Sequence, residues 1–327
     1  MNRKTMPMAV ALAAIAASIA VPVAAAAPTA TAEVTGGTLT ITDSQAPDRI
    51  ALRLSATDAN QLQVDIGDDG SADATFDLST FRAIDVAAGN GDDTVRIDQV
   101  NGIFTTTKAT RIDGGNGDDT LIGGSGNEVL VGGRGNDVID GNGGADTAFL
   151  GKGDDTFIWD PGDGSDVVEG DSGSDTMIFN GAAGNEIMTA KANGGRVSFT
   201  RNLGTIVMDL DGIETIDVNA LGGTDAITVD DVSGTDLSRV DVDLAAALGG
   251  SAADGAADTV TVTGTDGNDT IAADANGAAV DVSGLPAAVR ISHADPALDK
   301  LVIDTLAGAD SVHLDPALPG LIGASVN

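Results

Sequence analysis

The 327-residue chain has no cysteine and no tyrosine, one tryptophan, two histidines and only 16 basic residues. Each shortage closes a class of function. Without cysteine there is no disulfide, thiolate metal site, cysteine nucleophile or lipoprotein-type acylation site. Set against 50 acidic residues, the few basic ones leave a formal charge of −34, which gives no footprint for nucleic acid. So acidic a body also repels itself, and its compact state calls for counter-ions. Aromatic residues at 2% exclude a thick core of large side chains and leave no rings to hold a sugar, which argues against glycosidase chemistry despite the many carboxylates. The string GDSG at 170–173 has the look of a serine-protease nucleophile segment, but both histidines, His293 and His313, lie downstream with nothing to pair either with Ser172. No GxSxG, HExxH or GxxxxGK[ST] occurs. The expectation is a protein without catalytic activity.

What the chain does have is glycine, 44 residues of it, with much Val, Ile, Thr and Asp, a composition suited to thin repetitive β-structure. Residues 114–178 read as nine-residue units: GGNGDDTLI, GGSGNEVLV, GGRGNDVID, GNGGADTAF, LGKGDDTFI and, after Trp159 and Asp160, PGDGSDVVE and GDSGSDTMI. Glycines at positions one, two and four allow a sharp turn, and the acid at position six points a carboxylate into it. Three strand-like residues follow, with an apolar residue eighth: Leu121, Leu130, Ile139, Ala148, Phe157, Val168 and Met177. A flexible Gly/Asp linker would not keep that position apolar. Each unit therefore reads as a six-residue turn and a three-residue strand. Consecutive strands belong to opposed sheets, and turns two units apart stack on one edge. Asp119, Asp137, Asp155 and Asp175 line one edge, and Glu128, Asp146 and Asp166 the other. Asp119 is expected to end its column, because residues 105–113 lack the motif.

Stacked strands lie about 4.8 Å apart. Like charges at ~5 Å cost on the order of 1 kcal/mol per pair even in water. Such columns require a cation. Carboxylates with freed turn carbonyls make an all-oxygen cage, which suits Ca2+ better than Mg2+.

The units resemble the RTX, or haemolysin-type, calcium-binding nonapeptide repeat GGxGxDxUx. The resemblance implies an all-β fold, a right-handed parallel β-roll with several Ca2+ ions held between loops of the same edge. It places the ion-binding turns on Gly114, Asn116, Gly117 and Asp119; Gly123, Ser125, Gly126 and Glu128; and Gly132, Arg134, Gly135 and Asp137. They continue with Gly141, Gly143, Gly144 and Asp146; Lys152, Gly153 and Asp155; Asp163, Gly164 and Asp166; and Gly173 with Asp175. Three positions depart from the pattern: Glu128 replaces Asp, Ala148 replaces a large apolar residue, and Trp159-Asp160 interrupts the phase. The longer Glu128 side chain makes the site it shares with Asp146 the expected weakest.

Residues 1–26 have the plan of a Sec-type signal peptide: Arg3 and Lys4, an apolar run from Met8 to Val23, then small residues. Cleavage after Ala26 or Ala32 fits the small-x-small rule. The rival, an uncleaved anchor, has only 16 apolar residues with Pro22 inside, short for a membrane span. Most of the RTX family instead leaves the cell through a type I channel with an uncleaved C-terminal signal.

Residues 33–110 alternate as β-strands, and 181–327 return to longer strands after the array at 111–180. These flanks read as longer-strand, solenoid-like units. TITDSQAPDRIA from Thr40 aligns with TVTGTDGNDTIA from Thr261, with a middle copy from Gly173. That is three related β-units, the array inserted between the first and second. Asp48, Asp93, Asp225, Asp269 and Asp310 share the phase of the array acids, yet most lack the glycines, so they read as residues that merely terminate turns. The loop from Asp65 to Asp73 is oxygen-rich but lacks EF-hand spacing and reads as a hairpin turn.

The function expected is a secreted calcium-binding protein that folds on binding the ion, with no membrane span after signal cleavage. The alternatives are an adhesive or structural cell-surface protein rigidified by calcium, and a non-catalytic remnant or accessory part of a secreted hydrolase. No sequence feature names a protein partner.

Overall fold

The computed structural model describes residues 30–43 and 46–327. The leader read over residues 1–26 lies outside the described residues. The described chain is nearly all-β, its strands arranged as two 14-stranded sheets. Alternation builds them: in Thr120–Ile122, Val138–Asp140 and Thr156–Trp159 every second side chain is buried. All seven eighth-position residues, from Leu121 to Met177, are buried in one continuous core between the sheets.

Through the array the chain alternates between sheets. Ala109–Asn116, Glu128–Arg134, Thr147–Lys152 and Val167–Ser172 pair in parallel in the first sheet. Thr120–Ile122, Val138–Asp140, Thr156–Trp159 and Thr176–Asn180 pair in parallel in the second. Only the second sheet begins with the expected three-residue strands; in the first, Glu128–Arg134 runs seven residues. The chain stays extended there because Gly133, which has no side chain to collide, registers directly on Gly115 below and Gly151 above.

The three related units are visible as three meanders. Arg49–Leu54, Gln61–Ile66 and Ala74–Asp77 are antiparallel neighbours in the second sheet. Ile187–Asn193, Arg196–Arg201 and Ile206–Asp211 repeat this in the first sheet, and Thr270–Asn276, Ala279–Ser283 and Ala288–Ser292 in the second. In each unit the first meander strand pairs in parallel with a later strand of that unit: Arg49–Leu54 with Thr94–Asp98, Ile187–Asn193 with Ala226–Val229, and Thr270–Asn276 with Ser311–Leu314. A meander adds antiparallel rungs to one sheet only. The first and third meanders widen the second sheet and the second widens the first, which also carries the end strands Thr31–Thr35 and Gly323–Val326, and both sheets count 14 strands. The loop 67–73 is the hairpin turn expected between Gln61–Ile66 and Ala74–Asp77.

The insertion at Trp159 is absorbed by the core. Trp159 is fully buried, stacks on Phe179 with ring centroids 4.1 Å apart, and donates its Nε1–H to the Gly164 carbonyl at 2.8 Å. Among the described residues no helix is long and apolar enough to cross a membrane.

Candidate metal centre

The sixth-position acids stack as ladders along the two edges. The Asp119 N–H donates to Asp137 Oδ1 at 2.8 Å, that of Asp137 to Asp155 Oδ1 at 2.7 Å, and that of Asp155 to Asp175 Oδ1 at 2.9 Å. On the other edge Glu128 donates to Asp146 Oδ1 at 2.7 Å and Asp146 to Asp166 Oδ1 at 2.9 Å. Across the Trp159-Asp160 insertion the step grows from 18 to 20 residues, and neither ladder breaks.

Asp119 does not end its column. The Asp93 N–H donates to Asp119 Oδ1 and the Asp48 N–H to Asp93 Oδ1, both at 2.7 Å. Above, Asp175 donates to Glu214 Oε2 at 2.7 Å. The flanking acids are likewise more than turn terminators. Glu186 donates to Asp225 Oδ1, Asp225 to Asp258 Oδ1 and Asp258 to Asp299 Oδ1, at 2.7 to 2.9 Å; Asp269 donates to Asp310 Oδ1 at 3.0 Å. Their stacked neighbours are 26 to 45 residues away instead of 18, because loops and meanders leave the roll and return between rungs. Glu186, Glu214, Asp258 and Asp299 escaped the sequence reading. The signal that would have found them is an acid one residue before an alternating strand, as at Ile187–Asn193, Thr215–Asn219, Thr259–Thr263 and Lys300–Asp304.

A second ladder runs in the opposite sense through position five. Asp118 Oδ1 accepts the Asn136 N–H at 2.7 Å and Asn136 Oδ1 accepts the Asp154 N–H at 2.9 Å; Asn127 accepts the Ala145 N–H on the other edge at 3.1 Å. Each turn is thus stitched upward by one side chain and downward by the next.

These bonds occupy only one oxygen of each sixth-position carboxylate. Asp93, Asp119, Asp137, Asp155, Asp175, Asp146, Asp166 and Asp225 each bury an Oδ2 with no hydrogen-bond donor, and Glu128 likewise buries Oε1. An ionised oxygen without a partner in a water-poor turn is costly. Burial accordingly pushes the carboxyls of Asp119, Asp137 and Asp175 up to about 7 and that of Asp146 up to about 9, neighbouring carboxylates adding to the rise and the accepted N–H opposing it. Burial also raises Asp155 and Glu128, and takes Asp166 to about 6.

The glycines make room for these oxygens. A Cβ at Gly141 would sit 2.5 Å from Asp146 Oδ2, and Gly114 and Gly132 face Asp119 and Asp137 in the same way. At position four a Cβ would strike the main chain of the rung below: Gly135 faces the Gly117 carbonyl, Gly153 that of Gly135, Gly173 that of Gly153, Gly144 that of Gly126 and Gly164 that of Gly144. Gly117 and Gly135 also have φ of 132° and 122°, which a side chain would oppose.

Among the described residues no three Asp, Glu or His side chains gather round one point. A cation in these turns would therefore be held by one or two carboxylates together with main-chain carbonyls. That all-oxygen donor set suits a hard ion of flexible geometry, and the residues fit Ca2+.

The remaining predicted residues divide. The carbonyls of Asn116, Arg134 and Lys152 accept the N–H of Gly91, Gly117 and Gly135, at 2.7 to 2.8 Å. The side chains of Asn116, Arg134 and Lys152 are exposed, so those residues belong to the turns through their main chain. The Ser125 N–H is held by Thr105 Oγ1 at 3.2 Å, and the Thr105 main chain faces Gly126, so the 104–108 turn closes the foot of that edge. Glu128, registered on Thr110 below, is the lowest acid there; its extra methylene lets Oε2 fold back onto the Gly124 N–H at 2.9 Å. Asp163 is on neither ladder. It accepts the Asp160 N–H at 2.6 Å, and its carboxyl is pushed to about 7 by burial and by Asp140, Asp160 and Asp166. Gly123 faces the Gly141 carbonyl, whereas Gly143 has no atom nearer than 3.5 Å to where its Cβ would be.

The RTX calcium-binding nonapeptide repeat matches this chain in four copies, over residues 111–127, 122–157, 162–177 and 254–276. The fourth copy contains Asp258 and Asp269, which the structure places on the ladders. No curated protein matches the chain.

Proposed function

We propose that this chain, a calcium-binding RTX repeat protein by its four matched stretches, is a secreted protein whose biochemical act is folding on calcium. The observation that carries the reading is the row of buried carboxylate oxygens without donors on both edges. Asp93, Asp119, Asp137, Asp155 and Asp175 would hold ions on one edge and Glu128, Asp146, Asp166 and Asp225 on the other. The bound ion supplies positive charge where the chain has none to offer. Because such a site does not exist in the unfolded chain, its binding free energy is folding free energy. Where calcium is scarce the array stays charged and open; outside the cell, where calcium is abundant, it closes.

The reading of export rests on the leader-like sequence at residues 1–26. The protein carries out no chemistry of its own. Ser172 Oγ lies against the Gly151 carbonyl at 3.4 Å in the first sheet, while His293 lies beyond Ala288–Ser292 of the second and bonds Asp243 at 2.7 Å. The test is to add calcium to chelated protein and follow β-type circular dichroism and Trp159 fluorescence. A cooperative gain with Ca2+ and a poor one with Mg2+ is expected; identical spectra with and without calcium would refute the proposal. Deleting residues 1–26 should abolish export, while deleting 318–327 should not.

A further inference from the structure

Glu186 occupies a rung like the others, yet it lacks their unpartnered oxygen. Its N–H donates to Asp225 Oδ1 at 2.7 Å, as that of Glu128 does to Asp146. Its Oε2 accepts the Ala182 N–H at 2.9 Å, and its Oε1 accepts Nε–H of Arg201. Both side chains are buried, Glu186 wholly and Arg201 to within 6%. Arg201 is the last residue of the central strand of the second meander, Arg196–Arg201. Its guanidinium also lies 5.2 Å from the ring centroid of Trp159, which stacks on Phe179, and Phe179 in turn packs on Phe199 of the same meander strand.

Asp225, stacked on Glu186, keeps an unpartnered Oδ2, whereas two more distant flank rungs are satisfied from within. Asp269 Oδ2 accepts the Thr265 N–H at 2.8 Å and its Oδ1 the Thr265 hydroxyl at 3.0 Å; Asp299 Oδ2 accepts the Asp295 N–H at 2.6 Å. Those donors are neutral, and only Glu186 receives a full positive charge. A guanidinium stays protonated in any protein environment, so this charge cannot be lost.

We propose that Arg201 is a tethered cation, performing at the Glu186 rung the role that a dissolved calcium ion performs in the array, so that the second meander keeps its fold when calcium is withdrawn. The proposal rests on the reading of the array as calcium-dependent. It sets a contrast: rungs from Asp93 to Asp175, from Glu128 to Asp166 and at Asp225 draw their positive charge from solution, and the rung at Glu186 draws it from the chain. The meander then offers a preformed upper face to Val167–Ser172, through the parallel pairing of Ile206–Asp211, on which the array can close.

Hydrogen exchange on the full-length protein, read peptide by peptide in excess chelator and in millimolar calcium, tests both readings separately. In the wild type, residues 187–211 should be protected in both conditions and residues 120–140 only with calcium. Arg201→Gln leaves Glu186 buried without its partner, and exchange of 187–211 in chelator should quicken on the order of 100-fold. The double variant Glu186→Gln with Arg201→Met removes both charges while keeping side-chain bulk, and should restore protection without calcium. Should Arg201→Gln fail to fold at all, the double variant alone decides. Exchange of 187–211 as fast as the array in chelated wild type, unchanged protection in Arg201→Gln, or an unprotected double variant would each overturn the proposal. Protection of 120–140 in chelator would instead defeat the calcium reading of the array, and leave Arg201 to be judged on its own variants.

Discussion

Asp137 in the array and Asp65 in the first meander are both buried, at 1% and 0% exposure, and both accept main-chain N–H groups. Asp65 has in addition the Arg53 guanidinium at 2.7 Å, and the Asp69 and Gly70 N–H groups complete its carboxylate. Asp137 has one N–H and nothing else. The two regions share strands, core and turn chemistry and differ in where positive charge comes from. In the meanders the chain supplies it; in the array it is left for solution to supply. An extreme net charge is tolerable on such a plan because the acids that matter to the fold are gathered where an ion can bridge them.

The largest expected effect separates the regions outright. Chelation should melt the array and spare the second meander, so circular dichroism should fall only in part. Each array site held at 100 times its dissociation constant contributes about 2.7 kcal/mol, so the loss of several sites is comparable to the whole stability of an ordinary domain. A complete collapse to coil would show that the meanders depend on calcium too.

The second prediction concerns pH in calcium-free protein. The carboxyls of Asp119, Asp137 and Asp175 lie near 7 in the folded state and that of Asp146 near 9, against about 4 unfolded. Raised folded values mean that the folded state holds more protons. Their stabilising contribution is full below pH ~4 and drains away as pH rises through 7 towards 9. The apo array should therefore be most stable in mild acid and calcium affinity should climb over the same window, since the ion displaces the proton. Denaturation midpoints that stay flat between pH 4 and 8 in chelator would contradict this.

Third, rungs within the longer column should matter more than the foot of the shorter one. Asp119 and Asp137 each have stacked acids above and below, and Glu128 has Thr110 beneath it. Asp119→Ala and Asp137→Ala should each eliminate or weaken two ions in calorimetry, Glu128→Ala one. Equal ion losses in all three variants would mean that neighbouring rungs do not share ions.

Much of this was legible because a nine-residue period exposes phase. The apolar eighth position, the acidic sixth and the edge on which each acid lies all follow from spacing, and the core and the array ladders match them. What was hidden is whatever long separations connect. Asp48, Asp93 and Asp119 are one column, yet 45 and 26 residues part them because a meander and a loop intervene. Counting for a partner 18 residues away cannot see that. Glu186 is hidden twice: it is a glutamate in a unit poor in the motif, and its partner Arg201 lies across a meander turn where no local pattern points. Position five was passed over because it varies among Asp, Asn, Ala and Ser and reads as ordinary turn residues, until the ladder shows its Asp and Asn side chains used as acceptors.

The last prediction contrasts two glycines within one turn. Gly141 and Gly143 both belong to the turn that ends at Asp146, and neither has a positive φ. Backbone strain therefore does not separate them, only the space in front of each. At Gly141 a Cβ would meet Asp146 Oδ2 at 2.5 Å, the oxygen proposed to hold an ion. At Gly143 the nearest atom is the Gly162 carbonyl oxygen at 3.5 Å, an ordinary contact. Gly141→Ala must push the carboxylate aside, at a cost of about 1–3 kcal/mol for overpacking a filled site, and it should weaken one calcium class. Gly143→Ala should be neutral, or stabilise by a few tenths up to about 1 kcal/mol through the unfolded chain. Calcium-dependent folding midpoints measured side by side distinguish them. If the two variants shift equally, glycine serves this turn only through chain flexibility, and the carboxylate at Asp146 does not need the space that its neighbour leaves open.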